Sequence, residues 1–195
     1  MNSKLPKVNN SNPWVIKNTK EVYDNAWINV EHHDVLDPSG EDGVYGKVHF
    51  KSIAIGVVPL TKSKETYLVG QYRYPVDTYS WEIPEGGCPL GSDPLDTAKR
   101  ELKEETGLVA DKWFKGLDKL WLSNSVSDEE AIFYIAQGLK QGESEPESTE
   151  DLTIWKLPFE DAYQMALKGE IRDVLSVLSL LQTKRFIEEG LIEFV

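Results

Sequence analysis

One cysteine in 195 residues excludes an internal disulfide, and Cys88 has no thiol partner for a soft-metal site. Histidine is almost as scarce, at three. His32 and His33 are adjacent on a segment that reads as a strand, so their rings point to opposite faces and cannot readily share one ion. Basic residues are in the minority, 21 Lys and Arg against 33 Asp and Glu, for a formal net charge of −12. That balance is the reverse of a nucleic-acid footprint, which is basic. No apolar run reaches the roughly 20 residues that a membrane-spanning helix needs. Met1 to Asn12 is polar and lacks the apolar core of a signal peptide. The expectation is a cytoplasmic protein with no nucleic-acid or membrane partner. No internal repeat is visible.

What the chain does have is a run of carboxylates at helical spacing. In Arg100-Glu101-Leu102-Lys103-Glu104-Glu105-Thr106-Gly107-Leu108 the glutamates share one helix face within a turn. Like charges placed so repel one another unless something positive sits among them. Mg²⁺, a hard cation, takes carboxylate oxygens and usually completes its shell with waters and substrate phosphates. The stripe therefore reads as a metal platform for phosphate chemistry. Taken alone, it also fits a solvated face laced by Lys99, Arg100 and Lys103. The helix is well signalled, with Asp93 as N-cap, Pro94 at the first helical position and Asp96 in the first turn. Gly107 supplies the stop. Leu95, Ala98 and Leu102 form the apolar stripe that anchors it, with Glu101 and Glu105 on the neighbouring stripe.

The spacing from Gly86 to Leu108 resembles the signature of the Nudix hydrolases: a glycine, five residues, a glutamate, seven residues, then Arg-Glu-aliphatic-x-Glu-Glu-x-Gly-aliphatic. Gly86 and Arg100 to Leu108 fill their positions, and Ser92, beside Asp93, stands where the first glutamate belongs. Gln71-Tyr72-Arg73, Trp81-Glu82-Ile83-Pro84-Glu85-Gly86-Gly87 and Ser127-Asp128-Glu129 are similar to the ADP-ribose pyrophosphatase branch. So is the tail from Glu150-Asp151-Leu152 to Gly169-Glu170-Ile171.

Residues 1–12 read as a disordered tail and residues 13–48 as a small antiparallel β subdomain around the turn Asp37-Pro38-Ser39-Gly40. Residues 49–195 are the expected Nudix domain. Ser52 to Leu60 and Thr66 to Arg73 read as two strands of a hairpin across Lys62 to Glu65, and Trp81 to Pro84 as a short strand. Further strands are expected at about 113–122, 131–137 and 152–156, and helices near 159–168 and 173–188. Strands interleaved with a few helices are of the α/β class. The resemblance implies an α/β/α sandwich with a mixed sheet, assembled as a homodimer that exchanges the N-terminal subdomain.

The resemblance also distributes roles. It makes Glu101, Glu105, the backbone carbonyl of Glu85 and the side chain of Glu150 the metal ligands, for Mg²⁺ or its substitute Mn²⁺. Glu104 is a supporting ligand or an ion-pair partner of Arg100. Gly86 and Gly87 admit backbone close to ions and phosphates. Arg73 matches a phosphate-binding arginine, which suits a planar guanidinium. Glu82 alternates with Trp81 and Ile83 and faces either the cleft or a solvated edge. The acidic loop 143–151 is largely solvated, but its base position falls near Ser148, with Glu147 one residue away. Trp27 is the aromatic that would stack on a nucleobase, or else a core residue. Asp128 and Glu129 would reach a neighbouring cleft. The implied reaction is hydrolysis of a nucleoside diphosphate sugar, ADP-ribose first, to AMP and ribose 5-phosphate. Leu122 to Val126 lacks the proline that many of these enzymes carry there, which keeps GDP-mannose and UDP-glucose as alternatives. A catalytically silent ADP-ribose-sensing module is the third.

Overall fold

The computed structural model describes residues 10–142 and 151–195. The chain divides into two compact units, Met1–Phe50 with Ser125–Asp128, and Lys51–Asn124 with Glu129–Val195. The first holds an antiparallel sheet of β1 (Val15–Asp24), β2 (Ile28–Leu36) and β3 (Asp42–Phe50), in that order. The turn from β2 to β3 forms as its residues dictate. Asp37 accepts from the amides of Ser39 and Glu41 at 2.8 and 3.1 Å, and Gly40 takes a φ of 90° that a β-carbon would oppose.

Ser125–Asp128 is stitched to β3. The Val48 amide donates to Val126 O at 2.9 Å, and the Asp128 amide to Val48 O at 3.2 Å. The Asp128 carboxylate takes His49 Nδ1 at 2.8 Å, Lys47 Nζ at 3.0 Å and the Phe50 amide at 3.0 Å. Burial of that carboxyl opposes its charge, but these three donors outweigh it and hold it down at about 2. Asp128 is therefore a structural clasp of this unit.

The second unit is layered. Its mixed sheet has the order β7 (Glu85–Pro89), β4 (Ser52–Pro59), β9 (Glu130–Gln141), β8 (Leu108–Trp121), with β4 and β9 parallel. A second, antiparallel sheet has the order β10 (Thr153–Pro158), β5 (Glu65–Arg73), β6 (Thr78–Glu82). Strict alternation along β4 and β9 builds both faces. Ile55, Val57, Ile132, Tyr134 and Ala136 pack with Ala98 and Leu102 of α1 (Pro94–Thr106). Val58, Ala131, Phe133 and Ile135 pack with Leu68 of the second sheet, Ala162 of α2 (Phe159–Lys168) and Leu175 and Leu180 of α3 (Val174–Glu188).

The expected hairpin of residues 52–73 does not form. Strand β4 is paired on both edges, by β7 and β9, so no edge is left for β5, which joins the other sheet between β10 and β6. The turn itself is real: Lys64 has a φ of 65°, and Lys64 N donates to Thr61 O at 3.1 Å. It changes sheets instead of returning the chain alongside itself.

Candidate active site

Helix α1 begins where the sequence places it. Asp93 Oδ1 accepts the Leu95 amide at 2.7 Å, and Gly107, at φ 71°, closes the other end by donating to Lys103 O at 2.8 Å. Packing Ala98 and Leu102 into the core turns Glu101 and Glu105 inward, leaving them only 8% and 2% exposed. The Glu101 carboxylate fills the volume beside Gly86, where an added β-carbon would collide with it. Glu105 Oε2 accepts the Glu85 amide at 3.0 Å. Arg100 donates to Glu104 Oε2 and Glu101 Oε1, both at 2.5 Å, and to Gly87 O at 3.4 Å. Glu104 thus takes the role of ion-pair partner. Ser92 lies in the turn before Asp93, where its amide donates to Pro89 O at 3.0 Å.

A second polar group meets the first at Glu85, whose side chain points the other way. Its Oε1 accepts Ser176 Oγ at 2.7 Å, and Ser176 Oγ in turn accepts the Ile83 amide at 3.0 Å. Asp173 caps α3, taking the Ser176 amide at 2.7 Å. Burial first, then the charges of Asp173 and Glu82, push the Glu85 carboxyl well above the usual glutamate range. Burial and the same Asp173 also raise Glu129. Neither Asp173 nor Ser176 is marked as a site residue by sequence. The helix expected near 173 locates a capping aspartate, but nothing local aims it at Glu85.

Arg73 ends β5 and Glu82 ends β6, and the two form a forked ion pair, Nε reaching both carboxylate oxygens at 3.0 Å while Nη2 also donates. Glu82 is buried, so it is neither a solvated edge nor free to bind a ligand alone: it holds the arginine. The pair strengthens the guanidinium's hold on its proton. Both residues line a cavity of about 810 Å³, with Thr78, Ser80, Arg172 and Asp173 among its other walls.

Trp27 belongs to the first unit and is 72% exposed, which rules out a core role. Glu147 and Glu150 lie outside the described residues. Among the described residues, no three side chains of His, Cys, Asp and Glu are grouped to hold a metal ion. Glu101 and Glu105 instead stand against the backbone of strand β7. No helix of the described residues is long and apolar enough to cross a membrane.

Comparison with known proteins bears on the same residues. The ADP-ribose pyrophosphatase of Mycobacterium tuberculosis is 34% identical over 136 residues, 68% of this chain and 64% of that one. The ADP-ribose pyrophosphatase of Bacillus subtilis is 28% identical over 87% of this chain and 92% of its own. A methanol dehydrogenase activator of Bacillus methanolicus is 29% identical over 83% of this chain and 88% of its own. A crystal structure of an ADP compounds hydrolase shares the fold, with a TM-score of 0.82 at 21% identity, over 94% of this chain and 98% of that one. The family model of the NUDIX domain matches residues 51–177, from β4 into α3 and across the whole carboxylate box. By that match the chain belongs to the Nudix family and is a Nudix hydrolase.

Proposed function

We propose that this chain hydrolyses the pyrophosphate bond of a nucleoside diphosphate sugar, with ADP-ribose as leading substrate and AMP and ribose 5-phosphate as products. The observation that carries the reading is the seating of two buried carboxylates against the backbone of β7, where Gly86 interposes no side chain. Glu101 occupies the space that Gly86 leaves open, and Glu105 is fixed to the Glu85 amide. The two relatives named ADP-ribose pyrophosphatase support the substrate class.

These donors fit a hard divalent cation, Mg²⁺ or its substitute Mn²⁺. They are anionic oxygens, largely withdrawn from water, beside a glycine that interposes no side chain. When bound, such ions neutralise pyrophosphate charge and lower the pKa of a coordinated water. Glu101, Glu105 and the Glu85 carbonyl are the proposed ligands. Glu150 as a further ligand and Glu147 as base rest on the resemblance alone. Arg100 positions Glu101 through the guanidinium bond and does not touch substrate.

We also propose a homodimer. Of the described residues in the first unit, Val35 alone among the hydrophobics is fully buried, while Val15, Ile16, Val22, Tyr23, Trp27 and Val44 are exposed. So small a sheet needs a further surface to cover it. A second copy meets that need, and Trp27 presents a flat face suited to stacking on a base.

The test is a turnover screen of ADP-ribose, GDP-mannose and UDP-glucose with Mg²⁺ or Mn²⁺, reading released nucleoside monophosphate. The highest kcat/KM is expected for ADP-ribose. Turnover of none of them would make the chain a silent ligand-binding module and overturn the reading.

A further inference from the structure

The cavity beside the carboxylate group holds two guanidinium groups in different states. Arg73 is paired with Glu82, with Nε shared between both carboxylate oxygens and Nη2 donating as well, which leaves Nη1 outside the pair. Among the described residues, Arg172 has no carboxylate partner. Its one hydrogen bond among the described residues runs from Nε to Gly169 O at 3.3 Å, which leaves its two terminal nitrogens undirected. Its backbone is nevertheless held on both sides. Ile171 is buried in the core, and Asp173 is fixed as the cap of α3. Gly169, at φ 73°, closes α2 just before it. A cation on an anchored stem beside a cavity of about 810 Å³ is pre-organised for an anion.

The rest of the wall suits a sugar better than a base. Thr78 and Ser80 offer hydroxyls, and Glu170 and Asp173 offer carboxylates that accept from hydroxyl groups. The single aromatic ring of the lining is Tyr79, which already meets Trp81 edge-on, at 5.6 Å between centroids. Against that one ring stand these two hydroxyls and two carboxylates, a set that pairs with sugar hydroxyls.

We propose that this cavity takes the sugar-phosphate half of the substrate and that Arg172 is its specificity-determining residue, binding the phosphate of that half. The inference rests on the nucleoside diphosphate sugar reading above. Arg73, oriented by Glu82, keeps Nη1 for the pyrophosphate as the resemblance implies, and Arg172 adds the donors that discriminate the sugar side.

The test separates the two halves of the substrate. Binding of ribose 5-phosphate and of AMP is measured by calorimetry on the full chain, unchanged and as Arg172→Gln and Arg172→Lys, with melting temperatures checked for equal folding. Arg172→Gln is expected to weaken ribose 5-phosphate about tenfold or more, since hydrogen bonds between charged groups are the strong ones. AMP binding should stay within about twofold. Arg172→Lys should fall between, because it keeps the charge and loses the fork. In turnover, Arg172→Gln is expected to lower kcat/KM, since the phosphate it binds is one of the two joined by the scissile bond. Unaltered ribose 5-phosphate affinity, a loss falling on AMP instead, or no measurable binding of ribose 5-phosphate to the unchanged chain would each overturn the inference. The pyrophosphatase reading fails separately, if ribose 5-phosphate binds through Arg172 while no sugar nucleotide is turned over.

Discussion

The two arginine–carboxylate groups that flank Glu85 are built in opposite ways. Arg100, Glu101, Glu104 and Glu105 lie within six residues of one helix, so helical pitch alone brings them together. Arg73, Glu82, Glu85 and Asp173 come from β5, β6, β7 and the start of α3, and only the packing of four elements makes them neighbours. The first group is the proposed ligand set, held by its own helix, with Arg100 as tether. The second is a support: Glu82 locks Arg73, and Ser176 and Asp173 hold the side chain of Glu85 while its backbone faces the other group. A local motif can therefore supply the chemistry, while a non-local one fixes the cleft around it.

The sharpest test of this contrast is charge removal in the local group. Glu105→Gln and Glu101→Gln should each lower kcat by about a hundredfold or more, because an anionic ligand is lost where charge develops. Melting temperature measured without metal should not fall, since the substitution relieves repulsion between stacked carboxylates. Near-normal turnover of both variants in saturating Mg²⁺ would remove the distinction between ligand set and support.

A smaller effect is expected from Gly86→Ala. Its new β-carbon lands on the Glu101 carboxylate, the far end of a flexible side chain, which can move aside. Activity should drop about tenfold while the melting temperature shifts little. Gly116→Ala is the contrast, because there the β-carbon meets the buried ring of Phe133. Overpacking of that kind costs about 1–3 kcal/mol, so stability should fall first. Equal thermal losses in both variants would mean that Glu101 is a packing residue and not a poised ligand.

The smallest effect belongs to the non-local group. A carboxyl held above its ordinary value of 4.5 favours folding while protonated, and that contribution is lost as pH rises through its raised value. Glu85→Gln keeps an acceptor for Ser176 and carries no charge beside Asp173 and Glu82. The variant should melt a few degrees higher than the unchanged chain at neutral pH, and the gap should close toward pH 4. A gap that stays constant with pH would show that the Glu85 charge is not what strains this group.

Much of this was legible in the residues. The caps Asp93 and Gly107, the inward face of Leu102 with Glu101 and Glu105, and the Asp37 to Gly40 turn are all local consequences of side-chain chemistry, and each formed as read. The pairing of β4 and β5 was misread, because a polar tetrapeptide between two apolar runs looks the same whether the chain folds back or crosses to another sheet. Strand β7 is absent from the sequence expectations, since Gly86 and Gly87 carry no strand preference; its pairing with β4 supplies the order. Of the two readings of Glu82, cleft or solvated edge, its burial in the cavity wall excludes the edge, and its partner Arg73, nine residues away, is one that alternation alone cannot identify.

The sequence by itself determined the family, the helix and its carboxylate stripe, because spacing along one helix is a property of the backbone's own period. Tertiary structure alone decided that Glu101 sits in the space Gly86 leaves open, that Asp128 is a clasp, that Asp173 and Ser176 meet Glu85, and that Arg73 is engaged where Arg172 is not. Those outcomes depend on which sheet edge was still unpaired and which side chain filled a given volume, and neither is fixed until distant segments have packed.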